Sequence, residues 1–212
     1  MSNIVPKYNL KEELINSISH GVGAIFAIVA LILCVVKADT ASAEVGCVLY
    51  GVIMIILYTI SCIYHALSPK LVAKKVLRVL DHCNVMLMVA GTYMPICLSI
   101  LIGPIGWITF ALVWIITIVG VVFNVINVDK FTLVSALCNL LLGWGALFLI
   151  KPLLEVCPIQ GIIFLVSGGV LYTIGSILYG LGSKIKYMHS IFHFFVLGGS
   201  ILHFIFIYGY CI

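Results

Sequence analysis

Residues 17–36 read SISHGVGAIFAIVALILCVV, twenty positions without one charged side chain. Wound as a helix at about 1.5 Å per residue, the stretch covers ~30 Å, the thickness of a bilayer's hydrocarbon core. It has company. Stretches of similar length and polarity follow at 45–66, 81–101, 104–124, 131–150, 159–181 and 188–210, with the charged residues gathered between them or at their ends. Across all 212 residues, 64% are hydrophobic and 8% are charged. A soluble domain carries roughly 45–50% apolar and about 25% charged residues. Too few charges remain to solvate a surface, so the outside of this protein must be lipid. Backbone groups in lipid have to be satisfied within their own segment, which these lengths achieve as helices. The expected fold is all-α, an integral membrane bundle of seven transmembrane helices forming a single domain over residues 1–212.

The basic residues give the orientation. Lys7, Lys11, Lys70, Lys74, Lys75, Arg78, Lys130, Lys184 and Lys186 fall on the N-terminal side of such a bundle, while Lys37 and Lys151 fall on the other. The positive-inside rule then puts the N-terminus in the cytoplasm and the C-terminus outside a cell membrane crossed several times. Residues 67–80 are expected to form the one sizeable loop. Ahead of the first span, Asn9-Leu10-Lys11-Glu12 has the N-x-x-E form of a helix start. Leu10, Leu14, Ile15 and Ile18 make an apolar stripe that suits the membrane interface. Ala41-Ser42-Ala43 has the form of a signal-peptide cleavage site, but Glu12 and Glu13 before the apolar run and Lys37 and Asp39 after it argue that the first helix is retained. The net charge of +4 is small and points to no nucleic-acid partner. The eight cysteines are scattered without a C-x-x-C pair and read as small buried hydrophobes.

The polar exceptions to this apolar chain converge. With seven helices, His20 opens the first, Ser61 and His65 close the second, Asp81 and His82 open the third, and His189 and His193 open the seventh. All of them fall at one level on the cytoplasmic side. His189-x-x-x-His193 sets two imidazoles about 40° apart on one helix face, a common way for a helix to offer two zinc ligands. Ser61-x-x-x-His65 repeats the spacing on the second helix. Three histidines without a fourth protein ligand leave one position for water, which is the arrangement of catalytic zinc rather than structural zinc. Asp81 at the same depth suits a base or a water-orienting group. Ionisable residues inside a membrane are functional by default. His20 and His82 read as interfacial or supporting groups, and His203, ten residues beyond His193, reads as a packing residue too deep to share the ion. Gly168, Gly169 and Gly175 with Ser167 and Ser176 give the sixth helix small side chains for close packing.

Taken together, Glu13-x-x-Asn16-x-x-x-His20-Gly21-x-Gly23, Ser61-x-x-Tyr64-His65, Asp81-His82-x-Asn84, Gly91-Thr92-Tyr93-x-Pro95 and His189-Ser190-x-Phe192-His193 resemble the hemolysin III family. That family is the bacterial arm of the progestin and adiponectin receptor group, within a wider set of membrane hydrolases that includes alkaline ceramidases. The resemblance covers nearly the whole chain. It implies a seven-helix fold with a cytoplasmic N-terminus, and zinc on His65, His189 and His193 with Ser61 and Asp81 beside it.

The expected function is that of a zinc-dependent hydrolase of an amide or ester bond in a membrane lipid, with Asp81 as base and Ser61 supporting the ion or the developing oxyanion. The lipid is both environment and substrate. One rival is a cytolysin, as the family's name implies; the apolar outer halves of the helices offer no continuous polar stripe for a pore. Another is a membrane-homeostasis protein or sensor whose zinc is structural. A rhodopsin is excluded, since the seventh helix has no lysine after Lys186 to form a retinal Schiff base.

Overall fold

Asn9 starts the first helix. In the computed structural model, which describes residues 8–182 and 184–212, the Asn9 Oδ1 accepts from the Glu12 N–H at 2.9 Å and the Glu12 Oε2 accepts from the Asn9 N–H at 3.0 Å. This is the reciprocal capping expected of N-x-x-E. Lys7, which entered the charge asymmetry, lies outside the described residues. From this cap α1 runs unbroken over Leu10–Lys37. Leu10, Leu14 and Ile18 are exposed, whereas Glu12, Asn16, Ser19 and His20 are buried. The polar face of the helix points inward and its apolar face outward, the reverse of a soluble protein.

The remaining helices are α2 over Ala41–Ala66, α3 over Val72–Pro95, α4 over Pro104–Gly145, α5 over Ile150–Val156, α6 over Ile159–Leu181 and α7 over Met188–Phe206. Among the described residues, six helical stretches are long and apolar enough to cross a membrane. Thr40 caps α2 through its hydroxyl, which accepts from the Ala43 N–H. Pro95 lacks an N–H to continue the α-helical pattern, and α3 passes into a π-helical turn over Ile96–Ile100. Gly103 turns the chain with φ +103°, a conformation that favours glycine, and Pro104 opens α4 in the first-turn position that proline tolerates best. All eight cysteines are free.

The third helix corrects the sequence reading. Residues 67–80 do not form a loop, because α3 begins at Val72 and includes Lys74, Lys75 and Arg78. Charge is what misled: Lys74 and Arg78 are buried, at 1% and 5% exposure, and both are ion-paired. A paired charge fits inside a helix bundle where a lone one would not.

The fourth and fifth expected spans, 104–124 and 131–150, lie in one continuous helical run with a single extended residue, Asn127 (φ −167°, ψ 101°). The chain folds back there. The Ser135 hydroxyl donates to the Asn124 Oδ1 at 2.5 Å, and the rings of Phe123 and Phe131 lie 4.8 Å apart. In a straight helix, eleven residues would separate the first pair by roughly 16 Å. The Asn127 Oδ1 accepts from the Lys130 N–H at 3.0 Å and so caps the returning half. Two bonds pin the turn to α3: the Asn124 amide donates to the His82 carbonyl at 3.3 Å, and Arg78 makes a bidentate pair with Asp129 at 2.6 and 3.2 Å. The returning half extends beyond the expected boundary at 150, through a 3-10 turn into α5, which ends at Val156.

The packing order is α1 on α2, α2 on α3, α3 on α4, α6 on α7, with α7 closing against α1. α4 meets α6 only sparsely. A cavity of about 200 Å3 occupies the space left between α3, the returning half of α4, α6 and α7. Its lining is mostly apolar, and it reaches from Asp81 and His189 at one end to His203 at the other. Those two positions on α7 are ~21 Å apart along the helix.

Candidate metal centre

α2 ends and α7 begins at the same level, and that is what brings the histidines together. His65 lies in the last turn of α2 and His189 in the first turn of α7. The His189 and His193 Nε2 atoms are 3.2 Å apart, and the His65 and His189 Nε2 atoms are 3.4 Å apart. One ligand atom from each of the three lies within 4.8 Å of the other two, and all three residues are buried. The cluster could hold a metal ion.

Contacts behind the rings fix their orientation. The His65 Nδ1 donates to the Glu13 Oε2 at 2.7 Å, and the Glu13 Oε1 accepts from the Lys74 Nζ at 2.6 Å. The Asn16 amide lies 3.4 Å from the same His65 Nδ1. The Ser19 hydroxyl lies 3.5 Å from the His193 Nδ1. A carboxylate can only accept, so Glu13 puts the His65 proton on Nδ1 and leaves the Nε2 lone pair facing the other two histidines.

Around this core the aromatic residues are close. The ring of Tyr8, from the segment before α1, stacks on His189 with centroids 4.7 Å apart and planes 19° apart. Burial pushes its hydroxyl's pKa up, so Tyr8 sits there as a neutral phenol. His20 packs on the far side of His193, with centroids 3.8 Å apart, and meets Tyr58 edge-on. His82 turns instead to Tyr179, whose hydroxyl lies 3.4 Å from its Nε2. Ser61 is buried one turn before His65 on α2, and Asp81 shares the cavity wall with His189. His203 stands apart at the other end of α7, donating from Nε2 to the Leu165 carbonyl at 3.1 Å, against Gly168 of α6. It is the packing residue that its position predicts.

The sequence reading used Glu12 only for the helix start and against signal cleavage, Lys74 only for the orientation and Glu13 only as a charge against signal cleavage and within a motif, and it did not mention Tyr8. A usable signal was present in the spacing of Glu13, Asn16 and His20, which places three polar side chains on one face of α1. For Lys74 there was none, because its partner is 61 residues away.

Long apolar helices around three convergent, buried histidines define a multi-pass membrane protein with a buried candidate metal centre. A model of the haemolysin-III related family matches residues 8–204, and the chain belongs to that family. It is 42% identical to the hemolysin-3 of Bacillus cereus, over 92% of this chain and 90% of that one. To the hemolysin-3 homolog of Bacillus subtilis (strain 168) it is 35% identical, over 97% of each. A more distant relative is the human monocyte to macrophage differentiation factor, 23% identical over 94% of this chain and 84% of that one.

Proposed function

We propose that this protein is a zinc-dependent hydrolase acting on an amide or ester bond of a membrane lipid. The observation that carries the reading is the opening of a membrane-depth cavity onto the histidine cluster, with Asp81 on its wall. Two of the three donor separations match zinc as they stand, and the third pair lies within 4.8 Å. With Zn–N bonds of 2.0–2.1 Å, tetrahedral ligands stand about 3.3 Å apart, and the two Nε2 separations are 3.2 and 3.4 Å. Bound there, zinc polarises a carbonyl and lowers the pKa of water toward ~7.

The chain's own residues would do the rest. His65, His189 and His193 hold the ion. Asp81 takes the proton of the attacking water on its carboxylate and later returns it to the leaving group. Ser61 orients Asp81. Tyr8, stacked on His189, keeps bulk water out. The long apolar cavity takes the hydrocarbon chain of the substrate, and the sparse contact between α4 and α6 gives that chain a sideways entrance. The fold-back at Asn127 supports seven crossings, so that the N-terminus and the centre lie on the cytoplasmic side of the cell membrane, as the distribution of lysine and arginine favours.

The test is release of fatty acid from a bacterial lipid extract in mixed micelles with the purified protein, before and after zinc is stripped and restored. Release that follows zinc supports the reading. Bound zinc without release from any lipid class sinks it in favour of a structural ion. The name hemolysin-3, borne by two relatives, carries the second reading of a membrane-lysing protein. Dye leakage from vesicles that persists after zinc is removed would favour that one.

A further inference from the structure

Two successive carboxylates in the first turn of α1 reach different histidine-bearing helices. The Glu12 Oε1 accepts from the Tyr187 N–H at 2.7 Å, two residues ahead of His189. Tyr187 has φ 64°, a left-handed conformation that a tyrosine rarely adopts and that this bond helps to hold. Glu13 points the other way, to His65 on α2 and to Lys74 on α3, at 2.7 and 2.6 Å. Lys74 also donates to the Leu67 carbonyl at 2.9 Å and lies 5.1 Å from the centre of the Tyr64 ring. It is a fully buried lysine whose charge is spent on one carboxylate. It touches none of the three histidines.

A neutral imidazole offers one lone pair, and the bond made by its other nitrogen decides which one. For His65 that bond goes to Glu13. Lys74, by occupying Oε1, determines which Glu13 oxygen remains for the imidazole. We infer that Glu13 and Lys74 are positioning residues of the metal centre: Glu13, oriented by Lys74, holds His65 with its Nε2 lone pair toward His189 and His193, so the start of α3 governs how tightly the centre binds its ion. The inference rests on the reading of the histidines as metal ligands and is independent of whether a lipid is hydrolysed.

The test is zinc affinity of the full chain in detergent, measured by competition with a chelator, together with the absorption spectrum of the cobalt-loaded protein. E13Q should bind zinc roughly 10- to 100-fold more weakly, the usual cost of losing such a partner. K74M should weaken binding in the same direction by less, and E13Q/K74M should be no worse than E13Q, because Lys74 acts through Glu13. The cobalt spectrum should shift in both single variants. Folded E13Q and K74M with unchanged affinity and spectrum would overturn the inference, as would fully additive losses in the double variant. If these variants do not fold, Glu13→Asp serves: its shorter carboxylate should lower affinity, and wild-type affinity would count against the role. Wild-type protein that binds no zinc would sink the metal reading separately. The positioning role then stands or falls on the 15N spectrum of the histidines, with His65 protonated on Nδ1 in wild type and of mixed tautomer in E13Q. The same tautomer in both refutes it.

Discussion

The Nε2 atoms of His189 and His193 face each other at 3.2 Å, one turn apart on α7. Two neutral imidazoles in that pose cannot both accept, and the Nε2 of His65, 3.4 Å from His189, has its own proton on the opposite nitrogen. With the protons of His189 and His193 also on Nδ1, three lone pairs converge on one buried point, an arrangement that a cation between them stabilises.

Removing any one of the three histidines should therefore release the ion. His65→Ala, His189→Ala and His193→Ala are each expected to lower zinc content from about one per chain to a small fraction, because two ligands hold the ion poorly. His203→Ala should leave it unchanged. Elemental analysis of the purified variants decides, and equal zinc in all of them would dissolve the site.

Asp81→Asn should separate binding from chemistry. The amide keeps the shape of the side chain and removes its charge, so zinc stays while lipid hydrolysis falls by roughly the 10²–10⁴-fold typical of a lost general base. Ser61→Ala should move activity in the same direction by less, since the hydroxyl contributes a hydrogen bond without a charge. Both quantities are to be read on the same preparation. Full activity with full zinc would remove Asp81 from the mechanism, and lost zinc would make it a ligand.

Seven crossings can be told from six at the turn after Asn127. A reporter cysteine at Lys130, which is exposed, should react with membrane-impermeant reagents from the same side as a tag at Met1, and a tag after Ile212 from the opposite side. Both tags reached from one side would mean that the run from Pro104 to Val156 does not cross twice.

Gly168 makes room for His203. A β-carbon at 168 would sit 2.2 Å from the His203 Cδ2 and 2.5 Å from its Nε2, the atom bonded to the Leu165 carbonyl. Gly168→Ala is expected to cost roughly 1–3 kcal/mol, the usual range for overpacking, read as a lower midpoint of thermal unfolding in detergent. In the His203→Ala background the same change should cost much less, because the ring it collides with is gone. Equal penalties in both backgrounds would mean that the clash is relieved by backbone movement.

Periodicity made part of this legible in advance. His189-x-x-x-His193 states its geometry through the 3.6-residue turn, and the apolar stretches state their length. Asn9-x-x-Glu12 announced the start of α1 because capping is local. What sequence spacing could not show was pairing at a distance. Lys74 and Arg78 are charges in a stretch of ordinary polarity, and only their partners, Glu13 and Asp129, make a helix of what reads as a loop. Tyr8 was equally silent, since its stacking on His189 depends on how the first turn of α1 meets α7.

The Arg78–Asp129 pair has a bearing on how the chain assembles. Asp129 follows Arg78 by 51 residues and lies beyond the whole outward half of α4. Until the turn at Asn127 has been synthesised, the guanidinium lacks the carboxylate that accompanies it in the finished bundle, and a long basic side chain in that position reaches for the water at the membrane surface. The counter-charge for this end of α3 thus comes late in the chain, from the turn after Asn127. Asp81 lies three residues beyond Arg78, so the contact supplied last to this end of α3 is made one turn from the cavity wall.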